Sequence, residues 1–567
     1  MAPDDAPIVE RGERGKGVGT HEPVPWPPMS IPRPVASRIA AVVAAFLFLT
    51  ACVTEQETPS ASGPDATAPA ASAPSPTVAP SPTPLPAVDV PLAVVTGITN
   101  LKDNITVEEL VALADAGQLV MPCGVDVVEP PLAPTGACVS ADEVATSLEA
   151  EQTLVALLPP GLVEPATKVL PIAGDGPFGL FGPDLFGGPE ARGETYPVRG
   201  SALPDDPAIE EHWLAYDPSE IWTLTNIGSL CADRGAAYEA VTQGRGWDWA
   251  FGGGTAAYEA PAVVDPPDGG PYFPVQPVDT GNDGATAKIQ ERADVAIADH
   301  ECPIVPNEVF APQAGADAIF SVPEAVLPFW RDTLGLDVIY LAANHLSDKG
   351  VEGISSTLRL IDEYGLRRTG LGMNLDEALE PAYVDVAGMK VGFVAFNDIP
   401  GVAEADATTP GVPWITEVNI AAGVQRAREG GADLVICNPQ WWGGAEYHDD
   451  LWATQVTQVG WFEAGGCDHV IGSGTHVAGP VLLSGSARDP RLVLVSPGNY
   501  MFGQGWWQET QEGVIIDMAF RGTTLVNVRF HPTVQILQAR PALLDPEGDG
   551  HYVLERMWMY SSIDTTR

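Results

Sequence analysis

The sequence predicts an α/β fold, in which buried strands alternate with amphipathic helices. Residues 338–342 are a short apolar run that begins with β-branched residues, which is typical of a strand buried on both faces. The pattern that follows repeats apolar side chains at Ile354, Leu358 and Ile361, as one face of a helix does. Two further apolar runs, at residues 390–396 and 434–436, continue the alternation. This order of elements is typical of a layered α/β domain.

The chain begins with a predicted targeting segment, residues 1–52. Arg33 and Arg38 precede an apolar run, residues 39–49, that is too short to span a bilayer as a helix. The sequence Leu-Thr-Ala-Cys follows and ends at Cys52. This order is typical of a bacterial lipoprotein signal. We therefore expect lipidation of Cys52 and an extracytoplasmic protein that is anchored to the membrane there.

A tether and an accessory domain are predicted to follow. Pro, Ala, Ser and Thr dominate residues 53–92, which therefore lack the apolar surface needed for ordered packing. Residues 93–215 are predicted to form a small accessory α/β domain, with a helix that begins after Thr106 and a capping box completed by Glu109. Its predicted strands are residues 93–97 and 154–158. No catalytic constellation is recognisable there, and a role in binding a small ligand or the cell wall stays open.

The charge of the chain argues against a nucleic-acid partner. The 567 residues include 28 Lys and Arg against 75 Asp and Glu, a formal net charge of -47. Binding to nucleic acid requires clustered basic residues that neutralise phosphates, and the sequence contains no basic stripe. An acidic chain can still handle an anionic substrate where a bound cation supplies local positive charge. The alternative is that the acidity serves general solvation of the surface.

Seven cysteines fit an exported protein, because lipidation of Cys52 would leave an even number for disulfides. The candidate pairs are Cys123 with Cys138, Cys231 with Cys302, and Cys437 with Cys467. The first pair closes a short loop within the accessory region. The other two pairs flank presumed strand ends and could form bridges if those strands adjoin. The alternative for these four residues is that they are free, buried thiols.

The polar pair Asn344-His345 follows the central predicted strand and is the first candidate for a functional site. Ligands of α/β sheets bind beyond the carboxyl ends of the strands. Taken alone, the pair is equally compatible with an ordinary turn. It belongs, however, to a set of five ordered motifs: GSLCADRG at residues 228–235, DHECPI at 299–304, AANHLSDKG at 342–350 with Gly370 and Gly372, QWWGGAEY at 440–447 with GSGTH at 472–476, and SPGNYMF at 496–502.

These motifs, in this order, resemble the capsule-synthesis CapA family, whose domain has the calcineurin-like metallophosphatase fold. The similarity covers residues 221–520. It implies a metallophosphatase-like sandwich of two mixed sheets flanked by helices within residues 216–567. It also implies a role in the synthesis, anchoring or trimming of an extracellular polymer such as poly-γ-glutamate, with a polyanionic envelope polymer or its precursor as partner.

The resemblance also implies a set of site residues. The metal ligands would be Glu301, Asn344, His345 and His476, and Asn344 and His345 would also be catalytic. Asp299 stands where the family has Asn and could add a carboxylate to the metal ligands. Contacts with the substrate would come from Arg234, Gln440, Trp441, Glu446, Tyr447 and Asn499. The cofactor would be a divalent ion, namely Mn, Zn or Fe.

Three departures from the family's pattern reduce the expected metal binding. Ser229 stands where the family has Asp, Gln440 stands where it has His, and Gly474 stands where it has the first His of Gly-x-His-x-His. Hydroxyl and amide groups are weaker ligands than carboxylate and imidazole. We therefore expect one metal ion rather than two. Ser229→Asp combined with Gly474→His should raise the metal affinity.

Two hypotheses on function follow. The first is a membrane-anchored hydrolase, in which a metal-activated water attacks a phosphoester or amide of an envelope polymer. The second is a catalytically degenerate module that binds or tethers such a polymer. In the second hypothesis, aromatic side chains stack on the polymer; these are Trp441, Trp442, Trp506 and Trp507. The alternative for these tryptophans is that they belong to the hydrophobic core.

Overall fold

The computed structural model describes residues 88–132, 138–172, 198–202, 220–259, 276–306, 319–441, 446–486, 489–505 and 507–565. The predicted signal segment with Cys52 lies outside these residues, as does the predicted tether up to residue 87. The last residues of that tether form a strand, Val88–Pro91, so the disorder predicted for residues 53–92 is wrong at its C-terminal end. Within the described ranges, no helix combines the length and the apolar content needed to cross a membrane.

The accessory region contains two small sheets. Its strands β1 to β7 are Val88–Pro91, Ala93–Gly97, Leu119–Val120, Val125–Glu129, Val155–Leu158, Thr167–Val169 and Arg199–Ala202, and its helices α1 and α2 are Val107–Asp115 and Val144–Ala150. The strand orders are β3-β5-β2-β6 and β1-β7-β4. The predicted capping box is confirmed, because the Thr106 Oγ1 accepts from the Glu109 N–H at 3.1 Å and the Thr106 N–H donates to the Glu109 carboxylate at 2.8 Å.

The rest of the described chain forms two large mixed sheets and the helices that cover them. Strands β8 to β26 are Ile221–Leu230, Gly254–Tyr258, Pro277–Gly281, Val295–His300, Ile304–Val305, Val322–Pro323, Val338–Tyr340, Arg367–Thr369, Ala382–Val386, Met389–Asn397, Leu434–Gln440, His469–Ile471, Val481–Ser486, Asp489–Leu494, Asn499–Met501, Glu512–Arg521, Thr524–Ile536, Arg540–Leu543 and Ser562–Ile563. Helices α3 to α11 are Arg234–Ala237, Trp247–Gly252, Ala285–Arg292, Leu327–Asp332, Gly350–Glu363, Leu375–Ala378, Glu417–Glu429, Ala453–Gly465 and His551–Met559.

The first large sheet has the order β10-β9-β25-β24-β23-β8-β11-β14-β15, with β22 added alongside β8, and the second has the order β16-β17-β18-β19-β21-β20-β26. Each sheet has a parallel centre, β8-β11-β14-β15 in the first and β17-β18-β19-β21 in the second. Apolar side chains of both sheets share one core, in which Tyr340 contacts Phe393 with ring centroids 6.3 Å apart. The predicted sandwich of two mixed sheets flanked by helices is thus confirmed.

The central predicted stretch folds largely as expected. The strand β14 is Val338–Tyr340, and α7 buries Ile354, Leu358 and Ile361 against the core. Between them, Asn344–Ser347 forms a short 3₁₀ turn rather than an open loop. Parallel pairing of β14 with β11 and β15 places this turn at the carboxyl end of the sheet.

Three disulfides join the cysteines of the described residues in the pairs that the sequence suggested. They are Cys123–Cys138, Cys231–Cys302 and Cys437–Cys467. The alternative of free thiols is therefore wrong for the last four residues. The second bridge ties the carboxyl end of β8 to the residue that follows Glu301.

A buried cluster of charges joins the accessory region to the first large sheet. The Arg529 guanidinium, on β24, donates to the backbone carbonyl of Asp103 at 2.6 Å and to its carboxylate at 3.1 Å. The ammonium group of Lys168, on β6, donates a hydrogen bond to the backbone carbonyl of Asn100. Burial lowers the pKa of Lys168 from its ordinary value of 10.5 to about 8, although the Asp103 carboxylate opposes this effect. Burial therefore makes the charged form of Lys168 less favourable in the folded protein than in the unfolded chain.

We expect Lys168→Met to remove part of the pH dependence of stability. The unfolded chain holds the Lys168 proton up to the ordinary value of 10.5, whereas the folded chain releases it above about 8. The free energy of unfolding of the natural protein should therefore gain a positive contribution as the pH rises through this window. Urea unfolding at a series of pH values measures the effect. Lys288→Met, at an exposed position, is the control, and equal pH dependence in all three proteins would contradict the prediction.

Candidate functional site

Polar side chains from both large sheets meet at the carboxyl ends of their parallel strands. Glu301 follows β11, Asn344 follows β14, and Gln440 ends β18 of the other sheet. The Gln440 Nε2 donates to the Glu301 Oε1 at 2.7 Å and to the Asn344 Oδ1 at 3.2 Å. Its Oε1 accepts from the Asn344 backbone N–H at 3.0 Å. The orientation of the carboxamide is therefore fixed, because each of its polar atoms has a matched partner.

His476 lies on the other side of Glu301 and presents a bare nitrogen to it. The Asn499 Nδ2 donates to the Gln504 Oε1 and to the Thr510 carbonyl, so the Asn499 Oδ1, at 3.0 Å from the His476 Nδ1, must accept a hydrogen bond from the N–H at that nitrogen. In the neutral imidazole, the Nε2 is then an acceptor. It lies 3.9 Å from the Glu301 Oε2, a buried oxygen that accepts no hydrogen bond from any described residue. Two facing acceptors need a proton or a cation between them.

His345 is held by a carboxylate and an aromatic ring. Its Nδ1 lies 2.9 Å from the Asp348 Oδ2, and its ring meets Phe320 edge-on with centroids 4.5 Å apart. Burial lowers the pKa of His345, but the hydrogen bond to Asp348 and the charge of Glu301 outweigh it, so the pKa is raised above its ordinary value. The imidazolium form is thereby favoured, with the Nδ1–H directed at Asp348.

Asp299 lies behind Glu301 and is screened from solvent. Its Oδ2 accepts from the Ser229 hydroxyl at 3.2 Å, whereas its Oδ1 is buried without a hydrogen-bond partner among the described residues. Burial, together with the negative charge of Glu301, raises the pKa of Asp299 well above its ordinary value. A neutral carboxyl group is the form that this environment favours, and it is a weaker metal ligand than a carboxylate.

The backbone just before Ser229 passes so close to a neighbouring segment that only glycine fits at position 228. Gly228 has φ +82°, and a Cβ there would lie 2.5 Å from the Gly498 carbonyl oxygen, which in turn accepts from the Ser229 N–H at 3.0 Å. This close contact joins β8 to Gly498, the residue directly before β22 and Asn499.

An arginine and an aromatic wall form the open side of the site. The guanidinium of Arg234 lies 4.0 Å from the centroid of Phe320, and burial lowers its pKa while Asp233 and other nearby groups raise it. Tyr447 stacks on His476 with centroids 5.5 Å apart, and Trp507, which is 42% exposed, meets Tyr447 edge-on. Burial and the charge of Glu446 raise the pKa of Tyr447, so its hydroxyl stays neutral.

Three side chains of the site project from left-handed backbone. Arg234 has φ +44°, Tyr447 has φ +65° and His476 has φ +62°. Residues other than glycine rarely adopt this region, and such conformations concentrate at functional sites, where the surrounding structure enforces them.

The residues fit one cation better than two. Glu301 and His476 direct free acceptor atoms at each other, and the Nδ1–H bond to Asn499 orients the imidazole as in known metal sites. Asn344, by contrast, directs its oxygen at the Gln440 amide, and His345 turns its Nδ1 to Asp348. Among the described residues, no group of three or more His, Cys, Asp or Glu side chains is arranged to hold a metal ion. The ligand set inferred from the sequence stays a prediction.

The structure corrects several substrate contacts inferred from the sequence. Trp441 is fully buried, donates its indole N–H to the Val495 carbonyl at 2.7 Å and packs against Phe462, so a stacking role for it is wrong. Gln440 and Asn499 are also buried and bonded to protein partners, so they position other residues instead of facing a substrate. Trp442 and Trp506 lie outside the described residues.

The expected gain from Gly474→His is also wrong on steric grounds. Gly474 has φ +88°, and a Cβ there would lie 2.7 Å from the Gln440 Cγ and 2.9 Å from the Trp441 carbonyl oxygen. A histidine at this position would displace both neighbours, so the double substitution with Ser229→Asp would damage the site before it added a ligand.

Sequence reasoning assigned no role to some residues of the site. Phe320 and Phe502 form an aromatic bridge between the two histidines, with centroid distances of 4.5 Å from Phe320 to His345, 5.5 Å between the two rings and 4.9 Å from Phe502 to His476. Asp348 belongs to the motif at residues 342–350. Its position three residues after His345 could have predicted the contact between the two side chains. Phe320 carries no such signal, because its place depends on the path of the chain after β12.

Sequence comparisons identify the domain that contains this site. Residues 278–504 match the family model of the bacterial capsule synthesis protein PGA_cap. The chain is 29% identical over 201 residues to the capsule biosynthesis protein CapA of Bacillus anthracis, a match that covers 34% of this chain and 47% of that protein. It is 27% identical over 212 residues to the PGA biosynthesis protein CapA of Bacillus subtilis (strain 168), covering 37% and 53%. The chain thus spans about half the length of these curated relatives.

Solved structures show weaker similarity. The 5'-nucleotidase precursor from Thermus thermophilus has 11% sequence identity and a TM-score of 0.31, over 60% of this chain and 58% of that one. A hypothetical protein from the same organism has 16% identity and a TM-score of 0.27, over 43% and 90%. The relationship predicted from the motifs is confirmed over residues 278–504, which match the family model of the bacterial capsule synthesis protein PGA_cap.

Proposed function

We propose that this chain binds an anionic, capsule-type polymer of the cell envelope at the open side of the site and takes part in its synthesis, anchoring or trimming. The family relationship supports a capsule-related role. The observation that carries the choice of an anionic ligand is the guanidinium of Arg234, which lies 4.0 Å from the centroid of the Phe320 ring beside the polar centre of the site.

Arg234 provides local positive charge in a protein that is strongly acidic overall. The chain has a net charge of -47, so a polyanion gains no attraction from the surface as a whole. A guanidinium group binds a carboxylate through two parallel hydrogen bonds, and stacking on an aromatic ring limits the entropy lost on binding. Exposed Trp507 beside Tyr447 adds an apolar surface for the methylene groups of such a polymer.

We expect Arg234→Gln to weaken the binding of soluble poly-γ-glutamate by about tenfold or more, the loss typical of a charge-assisted hydrogen bond. The matched control is Arg245→Gln, because Arg245 also lies over an aromatic ring, 5.0 Å from the centroid of Trp249. Calorimetric titration with the polymer, and with a neutral polysaccharide, measures the effect. Equal affinities of the two variants would contradict the assignment.

A second candidate function is hydrolysis that uses a single divalent cation, and the facing acceptors of Glu301 and His476 favour it. These two residues would hold the ion, which when bound supplies an activated water and polarises the scissile group. His345 would act as the general acid, because the hydrogen bond from its Nδ1 to Asp348 fixes the ring and leaves the Nε2 to transfer the proton. Asn499 would hold His476 in the tautomer that binds the ion.

This second function predicts that the folded protein retains one Mn, Zn or Fe ion and slowly hydrolyses a chromogenic phosphodiester. His476→Gln and Glu301→Gln should both lose the ion and the activity. The control His448→Gln, at a side chain that is 51% exposed, should keep both. Elemental analysis of protein purified without chelators gives the ion content. Activity that survives in the two site variants would exclude this mechanism.

We also propose that the protein acts outside the cytoplasm as a lipoprotein anchored through Cys52. The order of basic residues, apolar run and cysteine at the N-terminus supports this proposal. The three disulfides agree with an oxidising compartment.

Cys52→Ser should therefore move the protein from the membrane fraction to the soluble fraction when bacteria are lysed and fractionated. Cys123→Ser, which removes a disulfide but no lipid, is the control and should leave the protein with the membranes. Unchanged membrane association of the Cys52→Ser variant would disprove the lipid anchor.

A further inference from the structure

We propose that the carboxamide of Gln440 is a permanent substitute for a second cation, and that it keeps the site assembled when no metal is bound. This inference concerns the same site as the proposed function. Its test counts bound ions and therefore does not depend on polymer binding or on catalysis.

Three polar side chains from the two large sheets converge on one point. Gln440 comes from the second large sheet, whereas Glu301 and Asn344 come from the first. One nitrogen of Gln440 donates to an oxygen of each partner, at 2.7 Å and 3.2 Å. A carboxylate oxygen and an amide oxygen that converge on one point are the donor set of a hard divalent cation. In this protein the point is taken by an N–H₂ group.

The carboxamide of Gln440 is fixed in its orientation by its own hydrogen bonds. The Gln440 Oε1 accepts from the Asn344 backbone N–H at 3.0 Å, and the side chain is fully buried. Rotation of the carboxamide would place its oxygen against the Glu301 carboxylate and would leave buried groups without partners. A cation that entered between Glu301 and Asn344 would have to break these bonds. The side chain of Gln440 alone therefore closes the position between Glu301 and Asn344 to a cation.

The second carboxylate oxygen of Glu301 stays available to bind an ion. Gln440 engages only the Oε1, whereas the Oε2 faces the His476 Nε2 at 3.9 Å. The amide therefore closes one side of Glu301 and leaves the other open. The site is limited to one exchangeable ion, and its Glu301 and Asn344 side chains are held in place even in the presence of a chelator.

The experiment compares the natural protein with Gln440→Glu and Gln440→His. Each substitution removes the amide donor and places a metal ligand beside Glu301 and Asn344. Native mass spectrometry and titration with Mn²⁺ should find one more ion per chain in each variant than in the natural protein, whether the natural protein binds none or one. The melting temperature of Gln440→Glu should fall in chelator and recover with Mn²⁺. Gln440→Leu should lose stability in a way that Mn²⁺ does not restore.

The matched control is Gln458→Glu. Gln458 also donates its Nε2 to a carboxylate, the Oδ2 of Asp398, at 2.8 Å, but among the described residues this nitrogen has no second acceptor of the kind that Asn344 provides for Gln440. This variant should gain no ion. Two ions in the folded natural protein would overturn the proposal, as would an equal gain in the Gln458→Glu control. If Gln440→Glu fails to fold, a folded Gln440→His that gains no ion overturns it independently.

Discussion

The hydrogen bonds from Gln440 to Glu301 and Asn344 connect the two large sheets at the point where their parallel strands end. A sandwich is held together mainly by its apolar core, but that core fixes the distance between the sheets more strongly than their alignment. A buried amide that bonds to both sides adds direction. It determines where Glu301 points, and through Glu301 it determines what can occupy the space in front of His476.

The remainder of the site is built outward from this link. Phe320 and Phe502 join the two histidines through edge-on contacts, and Asn499 and Asp348 fix the orientation of each imidazole. The side chains around the polar centre are therefore held in place by one another. A ligand there interacts mainly with the charges of these neighbouring side chains. In a protein this acidic, such a local arrangement matters more than the overall field, since distant surface charges are screened by salt.

The sequence predicted the elements of the fold well because their signals are local. Apolar periodicity located β14 and α7, and the spacing of Thr106 and Glu109 located a helix start. The motifs also predicted that Glu301 and His476 belong to one site, and in the structure the His476 Nε2 lies 3.9 Å from the Glu301 Oε2. Individual hydrogen bonds between distant parts of the chain were beyond this kind of reasoning. Gln440 and Glu301 are 139 residues apart, so the sequence shows a lost imidazole but not the bonds that replace it. The burial of Trp441 is decided by Phe462, on a helix that follows it.

The disulfide between Cys231 and Cys302 gives this site a dependence on its surroundings. Cys302 comes directly after Glu301, and Cys231 lies three residues before Arg234, so one covalent bond restrains both the buried carboxylate and the guanidinium at the entrance. Thiols stay reduced in the cytosol and are oxidised after export. The rim of the site is therefore covalently completed only in an oxidising environment, and loss of this one bond would release the restraint on both side chains.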